Sequence, residues 1–142
     1  MDHKTERLMT CGNVTAAFAG LWLVCQLLRD IYLFGWALQN GRGLLVLGWV
    51  LALSMGALGL RLLAYFVTLG NVVGVFFGQF FGDFWTAWKV ARLPPDPSAP
   101  EYYLAHSHPG AFFWVIAALV FLLAGLVLTL WQRHKRRREQ TK

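Results

Sequence analysis

Charged residues are scarce in this sequence. Asp, Glu, Lys and Arg together make up 14% of its 142 residues, whereas 57% are hydrophobic. A soluble domain carries roughly a quarter charged residues. The composition therefore excludes a soluble globular protein, and it predicts an integral membrane protein with a single domain. Acidic residues are the rarest charges, with seven against thirteen Lys plus Arg.

Cysteines and recognisable catalytic motifs are also scarce. The two cysteines are Cys11 and Cys25, and in one helix they would lie about 21 Å apart, too far for a disulfide. They are expected to act as small apolar packing residues. The sequence contains no phosphate loop, zinc-finger spacing, nucleophile elbow or dinucleotide fingerprint. No catalytic residue and no cofactor is therefore assigned.

Long apolar segments determine the predicted architecture. A membrane-spanning helix needs about 20 mostly apolar residues, and Gly and Asn are typical of the turns between such helices. With turns at 39–41 and 68–71, the sequence predicts an all-α bundle of four transmembrane helices. These helices are expected at about 13–38, 44–67, 71–90 and 110–132.

Two parts of this architecture remain open. Arg29 and Asp30 interrupt the first apolar segment, so this helix either continues through them or ends near residue 28, with the remainder lying at the interface. The segment 71–90 either spans the membrane or lies at its surface, which would leave three spans and one interfacial helix. Arg61 is expected about six residues inside the boundary of the second helix, within reach of the headgroups.

The distribution of cations predicts the orientation, because short cytoplasmic loops are enriched in Lys and Arg. Both termini are expected in the cytoplasm, with a proline-rich external loop at 91–109 and a basic tail at 133–142. The tail should attract anionic headgroups. The short loops favour a bacterial cytoplasmic membrane, although a protein of the endoplasmic reticulum would follow the same rule. The expected headgroup contacts are Arg133, Lys135, Arg136, Arg137 and Arg138.

Glycines recur at every fourth position of the predicted third helix. Residues four apart lie nearly above one another on a helix, so this column forms a shallow groove of the glycine-zipper kind that lets another backbone approach closely. It either packs against the same chain or forms a seam between copies. The column is Gly70, Gly74, Gly78 and Gly82, and similar small faces are Gly48, Ala52 and Gly56 on the second helix and Gly12, Ala16 and Gly20 on the first.

Polar residues follow the glycine column along a neighbouring face, at Asn71, Gln79 and Asp83. Charges inside a membrane are costly and usually face protein or water. Arg29 and Asp83 have similar expected depths, which predicts that they lie close together, with Asp30 as the competing acid. This cluster is either a structural ion pair or a relay for protons or ions.

His106 and His108 precede the last predicted helix, and Glu101 lies upstream. Imidazoles and carboxylates can bind transition metals, but a third ligand at a suitable spacing is lacking. The two histidines are therefore weak metal candidates, and no metal is assigned. The favoured interpretation is a solvated entrance to the helix.

Three classes of function fit these features. The first is an accessory or assembly subunit of a membrane complex, which acts through its glycine-rich faces. The alternative is a homo-oligomeric channel, holin-like pore or small-solute transporter that uses the polar face of the third helix. A membrane enzyme using His106, His108 and Glu101 is the third. The expected partners are the bilayer and another membrane protein or a second copy, whereas nucleic acid is not expected because the basic tail lacks a folded reading surface.

Overall fold

The computed structural model describes residues 2–140, and all regular secondary structure within them is helical. This agrees with the predicted all-α class. The helices are α1 His3–Leu27, α2 Tyr32–Gln39, α3 Arg42–Ala57, α4 Arg61–Val90, α5 Ala99–His106 and α6 Gly110–Gln140.

α1 and α4 begin at the same end of the bundle, whereas α3 and α6 run in the opposite direction. At one end, here called the terminal end, Glu6 of α1 pairs with Arg61 at the start of α4. His3, Arg61 and Arg133 line one cleft there, so α1 begins and α6 leaves the bundle at the same end. The opposite, loop end holds the 28–41 and 91–109 connections. The described parts of the two termini therefore lie on the same side.

Three helical segments are long and apolar enough to cross a membrane, namely α1, α4 and the segment that contains α6. The pair α2 and α3 qualifies as a fourth only when it is counted as one span, because the two helices are bent by 76°. The 16 residues of α3 extend about 24 Å, less than a typical hydrocarbon core. The number of candidate spans is therefore three or four.

The expected continuous helix at 13–38 is wrong. It is divided into α1 and α2 by a break after Leu27, where Ile31 adopts an extended conformation. Arg29 and Asp30 are both exposed in this break. Adjacent residues of a helix point about 100° apart, so a continuous helix would direct the two charges to different faces, whereas the break leaves both accessible.

The expected turn at 68–71 is also wrong, because α4 continues through it. The Thr68 hydroxyl donates to the Ala64 carbonyl and the Asn71 amide donates to the Val67 carbonyl, each at 2.9 Å. These polar side chains are thus satisfied on their own helix and do not end it. The chain turns instead at Gly59, whose φ of 79° is the left-handed conformation that glycine adopts readily.

This shift relocates Arg61, which was expected inside a span. It is the first residue of α4 and lies at the terminal end, where it pairs with Glu6.

The last helix begins at Gly110 as expected, but it continues to Gln140 and does not end at 132. The expected 91–109 loop contains the short helix α5. Lys89 of α4 holds the end of α5, since its ammonium donates to the carbonyls of Leu104 and Ser107 at 2.8 Å.

The glycine column of α4 packs against α6 of the same chain. A Cβ added at Gly70 would lie 2.7 Å from Phe121 Cβ, and one at Gly74 would lie 2.6 Å from Trp114 Cδ1. At Gly78 it would meet the Gly110 carbonyl oxygen. Each contact is too close for a side chain, so the four-residue glycine repeat sets the separation of α4 and α6.

The small face of α3 is likewise buried within the chain. The Asn71 side chain fills the space above Gly48, and a Cβ at Gly56 would lie 3.3 Å from both Thr10 and Cys11 of α1. Ala52, which lies between Gly48 and Gly56 in the sequence, is also buried. The corresponding face of α1 differs, because Gly12, Ala16 and Gly20 are all exposed. The buried side of α1 consists of Thr10, Val14, Phe18, Leu21 and Cys25.

Replacing Gly78 with Ala should destabilise the bundle. The added methyl group meets the backbone of Gly110, which must move, and overpacking of this kind costs about 1–3 kcal/mol. Gly20→Ala is the matched control, because nothing lies within 4 Å of its added Cβ and alanine favours a helix by up to about 1 kcal/mol. The free energies of unfolding are measured by titrating detergent-solubilised protein with dodecyl sulfate. Equal stabilities of the two variants would contradict the assigned α4–α6 contact.

Candidate functional site

The main polar cluster of the described residues lies at the loop end and is centred on Asp83 of α4. Gln79, one turn earlier, donates from Nε2 to Asp83 Oδ2 at 2.7 Å. His108, which precedes α6, lies with its Nε2 3.1 Å from Asp83 Oδ1. Both carboxylate oxygens are therefore engaged. The Asp83 side chain remains 58% exposed, so one face of this cluster is open.

Gln79 connects α4 to the start of α2. Its Oε1 accepts a hydrogen bond of 2.7 Å from the backbone N–H of Leu33, and Gln79 itself is only 3% exposed. The first N–H groups of a helix have no partner within the helix, and no side chain of the local N-cap hydrogen-bonds the start of α2. Gln79 thus provides, from another helix, an acceptor that the first turn of α2 lacks locally.

His108 occupies a closely fitted site between three helices. Its side chain is 8% exposed, and its ring centroid lies 4.3 Å from that of Tyr32. A Cβ added at Gly82 would collide with the imidazole, and one at Gly110 would lie 2.6 Å from its Cε1. The two glycines therefore provide the space that the imidazole occupies.

The hydrogen bonds of His108 determine its neutral tautomer. The backbone N–H of Gly110 lies 3.1 Å from Nδ1, and because an amide nitrogen can only donate, Nδ1 must accept. The proton of the neutral ring then lies on Nε2, which donates to Asp83. His108 thereby joins the first turn of α6 to α4.

The cluster as a whole has the arrangement of a structural clamp. Leu33 N–H, the Gln79 amide, the Asp83 carboxylate and the His108 ring form a continuous chain of hydrogen bonds across α2, α4 and the start of α6. Gln79 and Asp83, which were predicted to share the polar face of α4, thus belong to one hydrogen-bonded cluster. Asn71 lies two turns earlier, buried against Gly48.

The expected Arg29–Asp83 pair is not formed among residues 2–140. Asp83 is paired with His108, while Arg29 and Asp30 lie exposed in the α1–α2 break. The expected depths assumed a continuous first helix, and the break removes that assumption. Sequence reasoning missed His108 as the partner, although its position two residues before Gly110 places it at the start of α6.

The two histidines near α6 have separate environments. His106 lies on α5 with Nδ1 2.9 Å from the Tyr102 carbonyl oxygen, and its ring stacks on Tyr102 at 4.0 Å. Glu101 accepts hydrogen bonds from the Ser98 hydroxyl and N–H, which hold the pKa of its carboxyl below the usual range. No group of three or more potential metal ligands occurs within the described part of the chain. His106, His108 and Glu101 therefore do not form a common site.

The basic tail is the continuation of α6. The side chains of Arg133, Lys135 and Arg138 are exposed, and Lys135 Nζ lies 5.9 Å from the centre of the Trp131 ring. The expected headgroup contacts of Arg136 and Arg137 lie outside the described side chains, and the end of the tail beyond residue 140 lies outside the described chain.

Comparison with known proteins does not assign this chain. It matches no protein-family model, no curated protein and no solved structure. Its function is therefore inferred from its own residues and their contacts.

Replacing Gln79 with Leu should loosen the start of α2. Leucine keeps the approximate volume but leaves the Leu33 N–H without its acceptor, and an unsatisfied buried donor costs about 1–3 kcal/mol. The expected result is a lower free energy of unfolding together with faster hydrogen exchange at the Leu33 amide, measured by NMR or mass spectrometry. The control is Gln26→Leu on the exposed side of α1, for which a change within about 0.5 kcal/mol is expected. Unchanged exchange at Leu33 would exclude the assigned capping role.

Proposed function

We propose that this chain is an integral membrane protein that acts as an accessory or assembly subunit of a membrane complex. Membrane insertion is supported by its three or four candidate spans and by the many large apolar side chains on its outer surface, such as Leu23, Phe80 and Leu123. Soluble monomers rarely expose apolar surface this extensive.

The charges of the two ends support an orientation with both termini in the cytoplasm. The terminal end carries Lys4, Arg7 and Arg61 in addition to the basic run at 133–138. Arg29, Arg42, Lys89 and Arg92 belong to the loop end. Cations accumulate on the cytoplasmic side, and these lists give eight cations at the terminal end against four at the loop end. A bacterial cytoplasmic membrane is the proposed location.

The exposed small face of α1 is the observation that carries the proposed role. The small faces of α3 and α4 are covered by their own chain, whereas Gly12, Ala16 and Gly20 are exposed. Nothing lies within 4 Å of a Cβ placed at Gly12 or Gly20. In lipid, small residues favour close packing of two helices. A helix of another membrane protein is therefore the proposed occupant of this face.

The alternative of a homo-oligomeric channel or pore receives less support. It depended on a glycine seam and a polar face of α4 that are available to other copies. Gly70, Gly74 and Gly78 contact α6 and Gly82 contacts His108, and Gln79 and Asp83 are hydrogen-bonded within the chain. A seam between copies along the glycine column would have to displace α6.

The proposed topology can be tested by cysteine labelling. In a chain with Cys11 and Cys25 replaced by Ser, Asp96→Cys in the loop end should react with an impermeant maleimide in intact cells. Glu139→Cys near the end of α6 should react only after permeabilisation. Both positions are exposed in the structure, so a difference in labelling reports the side of the membrane. Equal labelling of the two cysteines in intact cells would contradict the topology.

The proposed contact surface can be tested by extracting the complex gently and measuring its mass and composition. Gly20→Leu should release most of the partner, because the larger side chain prevents close approach while leaving the chain's own packing unchanged. Gly43→Leu is the matched control, since Gly43 is also exposed with nothing within 4 Å of an added Cβ. It should retain the partner.

Two outcomes of the extraction would contradict the proposal. The first is an unchanged complex in Gly20→Leu. The second is a discrete multimer that contains this chain alone, which would support the homo-oligomeric alternative.

A further inference from the structure

A cleft of about 510 Å³ opens at the terminal end, between the start of α1, the start of α4 and the end of α6. Its polar lining consists of His3, Arg61, Thr129, Gln132 and Arg133. Its volume is within the range of small-molecule sites. The cleft is separate from the α1 face and from the Asp83 cluster, so neither of the features described above accounts for it.

Positive charge predominates around the cleft. Arg61 and Arg133 line it directly, and the Arg7 guanidinium lies beside Gly59 on its wall, with Nε 3.4 Å from the position of an added Cβ. Glu6 is an acidic residue in contact with these cations, since it pairs with Arg61. Arg61 nevertheless remains 42% exposed, so part of its guanidinium is accessible to a ligand.

The chemistry of these side chains favours a phosphate group. Guanidinium groups present paired N–H donors that match phosphate oxygens, and the Gln132 amide provides a further N–H donor. Leu60 and Leu62 also line the cleft, so a cationic surface that can bind an anion lies directly beside an apolar one. This combination suits a molecule that carries both a phosphate and an acyl chain.

The depth of the cleft indicates where the phosphate comes from. Trp131, next to Gln132 in α6, is 61% exposed, and tryptophan is enriched at membrane interfaces. The apolar part of α6 ends there and the basic run begins. A cleft at this level is placed among lipid headgroups rather than in the hydrocarbon.

We propose that this cleft binds the phosphate of an anionic phospholipid, held between Arg61 and Arg133. The inference relies on the proposed membrane insertion and orientation, but it is independent of the partner proposed for α1. The shared chemistry is a phosphate ester, so a soluble phosphate compound is the competing source that the experiment must distinguish.

The experiment uses the full-length chain in detergent, titrated with phosphatidylglycerol and followed by native mass spectrometry. One lipid per chain should bind saturably, and phosphatidylcholine should bind at least about fivefold more weakly. Arg133→Gln should reduce phosphatidylglycerol affinity about fivefold, as expected for one cation near an anionic group. Arg138→Gln removes the same charge from an exposed position outside the cleft and should change the affinity less than about twofold.

A variant that is expected to raise the lipid affinity keeps the test independent of folding defects. Glu6→Gln can still hydrogen-bond Arg61 but removes the competing negative charge, so phosphatidylglycerol affinity should rise. Excess inorganic phosphate distinguishes the source of the ligand. Failure of excess phosphate to displace the lipid supports the headgroup as the source, whereas displacement by phosphate at a concentration similar to that of the lipid would overturn it in favour of a soluble phosphate compound.

Equal binding of the two lipids, or equal effects of Arg133→Gln and Arg138→Gln, would overturn the site. These results concern the isolated chain, and the mass of the native complex is measured separately. Failure of the lipid site is therefore distinguishable from failure of the proposed subunit role.

Discussion

The close approach of α4 and α6 is the constraint on which the remaining structure depends. Gly78 and Gly110 bring the two backbones into direct contact, and Gly74 accommodates Trp114, which is 1% exposed. In a membrane the hydrophobic effect does not drive helices together, so dense packing of small residues has to supply the attraction. A glycine every fourth residue supplies it along the length of α4, and the two helices form the frame against which the other helices pack.

The polar cluster at the loop end follows from this frame. Because α4 and α6 meet at Gly78 and Gly110, the segment that enters α6 places His108 beside Asp83. The same turn of α4 directs Gln79 to the start of α2. The first N–H groups of a helix have no partner within that helix, and Gln79 accepts a hydrogen bond from one of them, at Leu33. The cluster therefore ties the start of α2 to α4.

The outer surface is the part of the described chain that other molecules can reach. The glycine column of α4 and the Gln79–Asp83–His108 cluster are used within the chain, whereas the α1 small face and the cationic cleft at the terminal end are accessible. We propose different ligands for these two surfaces, a helix of another membrane protein for the α1 face and a phosphate group for the cleft.

The sequence by itself determined the helical class, the presence of apolar segments long enough to cross a membrane, the excess of positive charge near the C-terminal end and the start of α6 at Gly110. These properties depend on local composition and on helical periodicity, which are read along the chain. It also indicated that the α4 glycines face protein.

Only the tertiary structure decided which protein surface the α4 glycines face, namely α6 of the same chain. It also decided that Thr68 and Asn71 continue a helix, and that Asp83 pairs with His108 and not with Arg29. The α4–α6 contact and the Asp83–His108 pair depend on partners distant in sequence, whereas Thr68 and Asn71 are satisfied by carbonyls four residues earlier in α4. Asn71, for example, reads locally as a turn residue, but its amide is satisfied by Val67 and it packs against Gly48. Local patterns specify which groups need partners, and the packing of the helices decides which partners they obtain.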